Sequence, residues 1–583
     1  MRPTSRLVTC LALAAALASS SACSSDPNSI KDQAKILKDP DAEAKQKLRA
    51  VENLKKIGKA ECVPALVAGL KKNSPKVRAE IAAALVEFKE PTTIPAIADA
   101  FELEPAKKSQ ADVDGANQKI AQALGEMGGK SAVPALLKLF AATQSNYVKF
   151  DVLNALGKIG GSEAVPMLTA LALDEKAEAP FNKKAFTALS LIAPKEAMPL
   201  FLKGLFHQRG QLSMYPDAAF GLFRLRPASH DAVLALMNGK DAETLAFAKE
   251  KKYAPAIVAS IAAQVAGHLR DPRMIRPLLK QLKTKDADPD LALVAQTAAV
   301  EALGRIKSRA AVGPLCELLK GEDRVKVADA LGRIGDKSAL PKLVACAGQG
   351  NWISREPCIQ GIVALGGKNE VRQFESFIQA EPKKFLAECK AGDYGEVDCD
   401  KERVRVTEER TKNLTSYRKA LETVSGCADT KCYADALASD DPVVREKAAY
   451  AVAEKGDLEA LDALLASINR PVKAEADLVP RLAAVLAVDW MVGTKPDARA
   501  KIKGGVPLLQ ATIERDAKIA QNAESTEEIQ RLVDVIQNGR ELAPAPVGAD
   551  EAAVAEEQGE QKPPEPKPAP KPVAKKKAGK KKK

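Results

Sequence analysis

The chain has 583 residues, 46% of them hydrophobic, 28% charged and only 4% aromatic. That balance, crowded with Ala, Leu, Lys and Glu, points to helices packed with small and aliphatic side chains. It favours one long repeat array over three or four globular domains. The formal net charge is +12, but ten lysines against one acid from Lys562 to Lys583 place +9 of it in the last 22 residues. The body is therefore close to charge-balanced, and no nucleic-acid partner is expected for it.

Arg2 and Arg6 precede an apolar run from Leu7 to Ala18, then small residues lead to Cys23. A basic start, a short apolar core and a small-residue cleavage region describe a secretory signal; a membrane span needs roughly 20 apolar residues. Ser20-Ser21-Ala22-Cys23 resembles the lipobox of bacterial lipoproteins, although Ser20 replaces the usual leucine. The resemblance implies that Cys23 becomes the lipidated N-terminus. With Ser24 rather than aspartate after it, it also implies an outer-membrane protein facing the periplasm. Ser24 to Lys38 is polar and reads as part of a short tether over 23–45.

From Leu54 onward one phrase is rewritten along the chain. Leu54-Lys55-Lys56-Ile57-Gly58 is followed by Val63-Pro64-Ala65-Leu66, and Leu124-Gly125-Glu126-Met127-Gly128 by Val133-Pro134-Ala135-Leu136. The phrase returns at Leu156-Gly157-Lys158-Ile159-Gly160, at Leu303-Gly304-Arg305-Ile306 and at Leu331-Gly332-Arg333-Ile334-Gly335. Each reads as the end of one helix, a tight turn, and a second helix opening at a proline. The prolines at 64, 95, 134, 166 and 199 are 31 to 39 residues apart, and the interval shortens to 27 between Pro314 and Pro341. Val77, Ile81, Ala84 and Leu85 share one face of the helix that Ser74-Pro75 opens. A period of this size signals stacked helix pairs, each burying apolar surface that only its neighbour can cover.

These motifs, with Asp441-Pro442-Val443-Val444-Arg445 and Ala448, Ala449 and Val452, resemble the HEAT-repeat family in its short, phycobilisome-lyase-like bacterial form. The resemblance implies an all-α, right-handed superhelical solenoid of stacked antiparallel helix pairs with a concave inner face. The expected organisation is a signal peptide over 1–22, the tether over 23–45 and the repeat array over 46–380. A Cys-bearing insertion follows over 381–435, then HEAT-like helices over 436–541 and a disordered Pro/Lys-rich tail over 542–583.

Two stretches depart from the pattern. Leu205 to Pro227 gathers aromatics in an aromatic-poor chain; these read as core filling at an irregular joint, with Phe206, Tyr215, Phe220 and Phe223 as candidate partner anchors instead. Ala380 to Ser425 is charged and carries cysteines. Cys62 and Cys316 occupy register positions that other units fill with alanine or leucine, so they read as buried small hydrophobes. Cys346, Cys358, Cys389, Cys399, Cys427 and Cys432 remain, an even set that suits disulfides in an oxidising compartment. Nearest-neighbour pairing is expected, although six cysteines permit 15 connectivities.

No nucleophile elbow, phosphate-binding loop or metal-ligand spacing emerges, and no cofactor is expected. Glu408-Glu409 and Glu527-Glu528 read as solvated helix faces. The function expected is a lipid-anchored envelope scaffold that binds a protein through its concave face. The rivals are a HEAT-like lyase-type enzyme and a passive structural protein. The lysine tail adds an expected loose contact with an anionic envelope polymer.

Overall fold

Helix pairs recur from Ile30 to Asn538 in the computed structural model, which describes residues 26–539 apart from 322, 394 and 396. The signal peptide, Cys23 and the tail lie outside the described residues. The chain divides into two compact units, up to Val265 and from Ala266 onward.

Each repeat is built the same way. A long helix such as Gln110–Met127 ends on a residue with left-handed backbone, here Gly128 at φ 76°. A single 3₁₀ turn, Lys130–Ala132, follows, and then a shorter helix, Val133–Ala142, with proline in its first turn. Glycine suits the left-handed stop, and proline suits the first turn because its missing N–H has no helical partner. The short connection makes the two helices antiparallel neighbours. Val77, Ile81, Ala84 and Leu85 are buried as their spacing requires, and so are Cys62 and Cys316, both free thiols. Ser74 sits at the N-cap before Pro75 but makes no side-chain cap bond.

The first glycine of the repeated phrase does a different job from the turn expected of it. It lies inside the long helix, where the next long helix crosses. A Cβ added at Gly157 would stand 2.9 Å from Ala188 Cα, and one added at Gly304 would stand 2.9 Å from Ala330 Cα. Gly125 meets Ala155 and Gly267 meets Ala302 in the same way, at 3.0 Å. Successive long helices thus touch backbone to backbone at one register position.

Three expectations are corrected. The tether is partly folded: Ile30–Lys38 is a helix that packs on Ala44–Ile57 and Val63–Gly69 and buries Gln33 and Leu37. Its few apolar residues suffice because the first repeat needs a lid for its exposed end. The aromatic stretch is core, as its bland reading held. Phe206 and Phe223 are buried, so neither is presented to a partner, while Tyr215 and Phe220 are half-buried. A short hairpin, Gln208–Arg209 with Leu212–Ser213, folds the chain back after Met198–Gly204, and Phe206 stacks edge-on against Tyr253 at 5.5 Å. The Tyr215 hydroxyl donates to Gln264 at 2.9 Å. Finally, the segment expected to begin at 381 lies within two long helices, Lys368–Lys390 and Cys399–Ser425, which pack on each other and replace the short second helix of a repeat.

The structure joins Cys346 to Cys358, Cys389 to Cys399 and Cys427 to Cys432, with Cα separations of 5.9, 5.8 and 5.3 Å, inside the usual range for disulfides. Beside the second of these a buried quartet ties three helices together. Arg355 reaches Glu381 at 2.9 Å and Glu388 at 2.6 Å, and Arg410 reaches the same two carboxylates at 2.7 and 3.0 Å.

Gly157→Leu should lower stability by about 1–3 kcal/mol, because the crossing helix cannot retreat without breaking the stack. Gly115→Ala is the opposite case in a neighbouring helix, where an added Cβ meets nothing within 4 Å. It should stabilise by about 0.5–1 kcal/mol. Urea unfolding of the two variants reads both signs.

Candidate functional site

One register position, the residue after the contact glycine or after its counterpart Lys55, Val86 or Ser190, recurs along the long helices. In the first unit it holds Lys56, Glu87, Glu126 and Lys158, all exposed, and then the half-buried Leu191. In the second it holds His268, Arg305 and Arg333, whose side chains are only 12, 15 and 17% exposed. One register position is therefore open in one unit and enclosed in the other.

In the first unit the open position borders a groove of about 310 Å³ across the helices Gln110–Met127, Asn146–Ile159 and Ala179–Ile192. Gly125, Ala155, Gly157 and Ala188 line its floor, and Gln122, Asn154 and Thr187 present uncharged hydrogen-bonding groups along it. Lys184 Nζ donates to Asn154 Oδ1 at 3.0 Å, and Gln118 to Asp151 at 3.1 Å. Glu126 and Lys158 stand at its edge with opposite charges. This surface can hydrogen-bond a polypeptide; it holds no nucleophile–base pair.

In the second unit the enclosing groups come from the C-terminal repeats. Arg305 Nη1 donates to Glu528 Oε1 at 2.9 Å, Arg531 reaches the same oxygen at 3.1 Å, and His268 Nδ1 lies 3.5 Å from it. Burial alone would raise the Glu528 carboxyl, but Arg305, His268 and Arg531 hold it well below the usual carboxylate range. Glu528 is thus buried in an ion cluster, which corrects its reading as part of a solvated face. Burial, with Arg531 next to it, pushes the His268 imidazole well below its ordinary value.

A few ångströms along, Trp490 receives two cations. Lys307 Nζ sits 4.0 Å from its ring centre and Arg270 lies 5.7 Å away, while Arg270 also pairs with Asp489 at 2.7 Å. Both cations occupy the helix-stop position, with φ of 61° and 56°, where Gly58, Gly128 and Gly335 stand in other repeats and Lys89 and Ala193 in two more. Left-handed backbone costs a non-glycine residue roughly 1–2 kcal/mol, and the contacts with Trp490 offset part of that cost here. Burial brings Lys307 down to about 8. Across the same seam Arg333 bonds the Tyr450 hydroxyl, and Lys447 donates to the carbonyls of Ala364 and Gly366 at 2.7 and 2.9 Å. Burial, with Asp329 nearby, pushes the Glu446 carboxyl up to about 7.

Among the described residues no group of three or more His, Cys, Asp or Glu is arranged to hold a metal ion. The seam is not legible in the sequence, because partners such as Arg305 and Glu528 lie 223 residues apart. The one local signal was Lys307 standing where the repeated phrase otherwise places glycine. Cys346, Cys358, Cys389, Cys399, Cys427 and Cys432 lie in disulfides outside both surfaces. Phe206, Tyr215, Phe220 and Phe223 do not line the groove.

The HEAT-repeat family model matches residues 30–114, 110–189 and 292–363. The matched stretches are HEAT repeats. No curated protein matches the chain significantly. Among solved structures, the CpcE–CpcF phycocyanin lyase complex from Nostoc sp. PCC7120 shows 19% identity and a TM-score of 0.24, covering 48% of this chain and 94% of that one. The Kap95:Nup1 complex gives 15%, 0.35, and coverage of 91 and 69%. Kap121p bound to Ste12p gives 12%, 0.39, and 91 and 68%. Identities and TM-scores are low, and none of these likenesses bears on function.

The Glu446 carboxyl is raised in the fold, so the folded chain binds its proton more tightly than the unfolded chain does. The ionised group therefore costs stability above pH 7, and the cost fades as pH falls toward 4.5. Glu446→Gln should raise stability at pH 8 by on the order of 1–3 kcal/mol and leave it little changed at pH 5. Urea unfolding at the two pH values, disulfides intact, gives the comparison.

Proposed function

We propose that the chain is a lipid-anchored envelope scaffold that docks another protein on the open face of its first unit. The observation that supports this reading is the contrast between the two units. The same register positions that the second unit fills with its own C-terminal repeats are left uncovered from Lys56 to Lys158, beside a groove with uncharged hydrogen-bonding side chains. Binding, without a chemical step, is what such a surface supports. In this reading the docking surface is the groove at Gln122, Asn154 and Thr187.

Cys23, through its lipid, holds the scaffold on the outer membrane in this reading, with the repeats facing the periplasm. The lysine tail adds a salt-sensitive contact with an anionic envelope polymer, since clustered lysines attract polyanions by a screened electrostatic pull.

Photo-crosslinking residues placed at Glu126 and Lys158 in intact cells should capture one recurring protein, and the same probe at the exposed Lys419 should not. Equal, non-specific capture at all three positions argues for a passive structural role. Cys23→Ala should move the protein from the membrane to the soluble fraction; retention in the membrane would count against the anchor.

A further inference from the structure

The C-terminal helix Ala523–Asn538 is buried over most of its circumference. Ile529, Leu532, Val535 and Ile536 are fully or almost fully buried, and the helix packs on Leu478–Thr494 and Val506–Asp516. Among these apolar residues Glu528 and Arg531, with Glu524 a turn earlier, reach Arg305 and His268, which belong to helices more than 200 residues earlier in the chain. Between residues 266–337 and 442–538 the bridging contacts include several made by long polar side chains: Arg305 to Glu528, Arg270 to Asp489, Arg333 to Tyr450, Lys337 to Glu454 at 3.8 Å, and Lys307 over Trp490. Among the described residues no pair of helices packs closely, backbone against backbone, across this seam.

We propose that Ala523–Asn538 is a releasable clasp that closes the helix stack of the second unit onto itself, with Glu528 seated between Arg305, Arg531 and His268 as its catch. Three physical arguments carry it. Ile529, Leu532, Val535 and Ile536 hold the helix on its own repeats whether the catch is closed or open, so release need not unfold it. The ion pairs and cation–π contacts that bridge the seam are polar, and polar contacts between packed bodies leave relative motion as the default. The register position that the clasp covers is the one that stands open in the first unit, so its closure is an addition to the repeat rather than a requirement of it. The groups that face Glu528 are Arg531 from its own helix, Arg305 from Pro289–Ile306 and His268 from Pro255–Leu269; Glu524 faces Arg305 beside it.

Opening would expose His268 and Arg305 together as a basic ridge. Its fitting occupant is what already sits there, a helix presenting a carboxylate; in the closed state that helix is the chain's own.

Amide hydrogen exchange on the full chain tests the clasp. Glu528→Gln, and independently Arg305→Gln from the other side, should speed exchange at least tenfold in the facing turns around Arg305 and Arg333. Far-UV circular dichroism should be unchanged, and so should exchange in Leu478–Thr494. Glu459→Gln, which removes an exposed carboxylate paired with Lys501 in the same unit, should leave the seam as in the parent. Unchanged exchange in both clasp variants would overturn the proposal. So would loss of protection throughout the unit in both, because the contact would then be an ordinary part of the core.

Discussion

The architecture depends on one close approach, that of a glycine (Gly125, Gly157, Gly267 or Gly304) in one long helix to an alanine in the next. With separations near 3 Å from an imagined Cβ to the neighbouring backbone, the crossing point is fixed to a single residue. Interiors are packed densely enough that one extra methyl group is felt. Once that point is fixed, every other position on the helix has a settled direction. The leucine before the glycine enters the core, and the residue after it projects from the open edge. A repeat of this kind therefore repeats its surface as well as its core, and chemistry can vary at the projecting positions without disturbing the stack.

The two units use that freedom in opposite ways. In the first, the charged projecting residues are of both signs and remain in water, where each ion pair contributes little and constrains little. In the second they are basic and enclosed, and their charge is balanced by Glu528, Asp489 and the aromatic faces of Trp490 and Tyr450. Taking such groups out of water is costly, and an ion cluster of this kind seldom outperforms a well-packed apolar contact in stability. What it supplies is discrimination, since one arrangement satisfies all the charges and most slipped ones leave a charge unpaired. The left-handed backbone retained at Arg270 and Lys307 agrees with this: local strain is accepted where the side chain has a distant partner.

What was legible in the sequence follows the range of the interaction. The Val-Pro helix starts, the Leu-Gly-x-Ile phrase and the placement of Cys62 and Cys316 depend on neighbours within one repeat, and periodicity alone reveals them. The glycine was legible as a residue but not in its role, because a turn glycine and a contact glycine look alike without the crossing helix. Ile30–Lys38 escaped because two buried residues, Gln33 and Leu37, are too few to show a pattern. Phe206 and Phe223 suggested a surface because aromatics are rare in this chain, yet rarity of a residue type carries no information about the direction in which it points. The seam around Glu528 was out of reach altogether, since a carboxylate pair on a charged helix looks the same whether water or arginine lies opposite.

The irregular region between Trp352 and Ser425 belongs to the same argument. Here the short second helix gives way to two long ones, and the repeating glycine contact no longer fixes their positions. Two other devices take over. Arg355 and Arg410 share the carboxylates of Glu381 and Glu388 against the face of Trp352, and the Cys389–Cys399 link closes the end at which the two long helices meet. Bidentate guanidinium pairs are directional where apolar contacts are not, and a disulfide restricts the unfolded chain. Both fix the position of the long helices where stacking alone would let them slide. The region thus joins the repeats before it to those after it at a set geometry, which the seam from His268 to Glu528 requires.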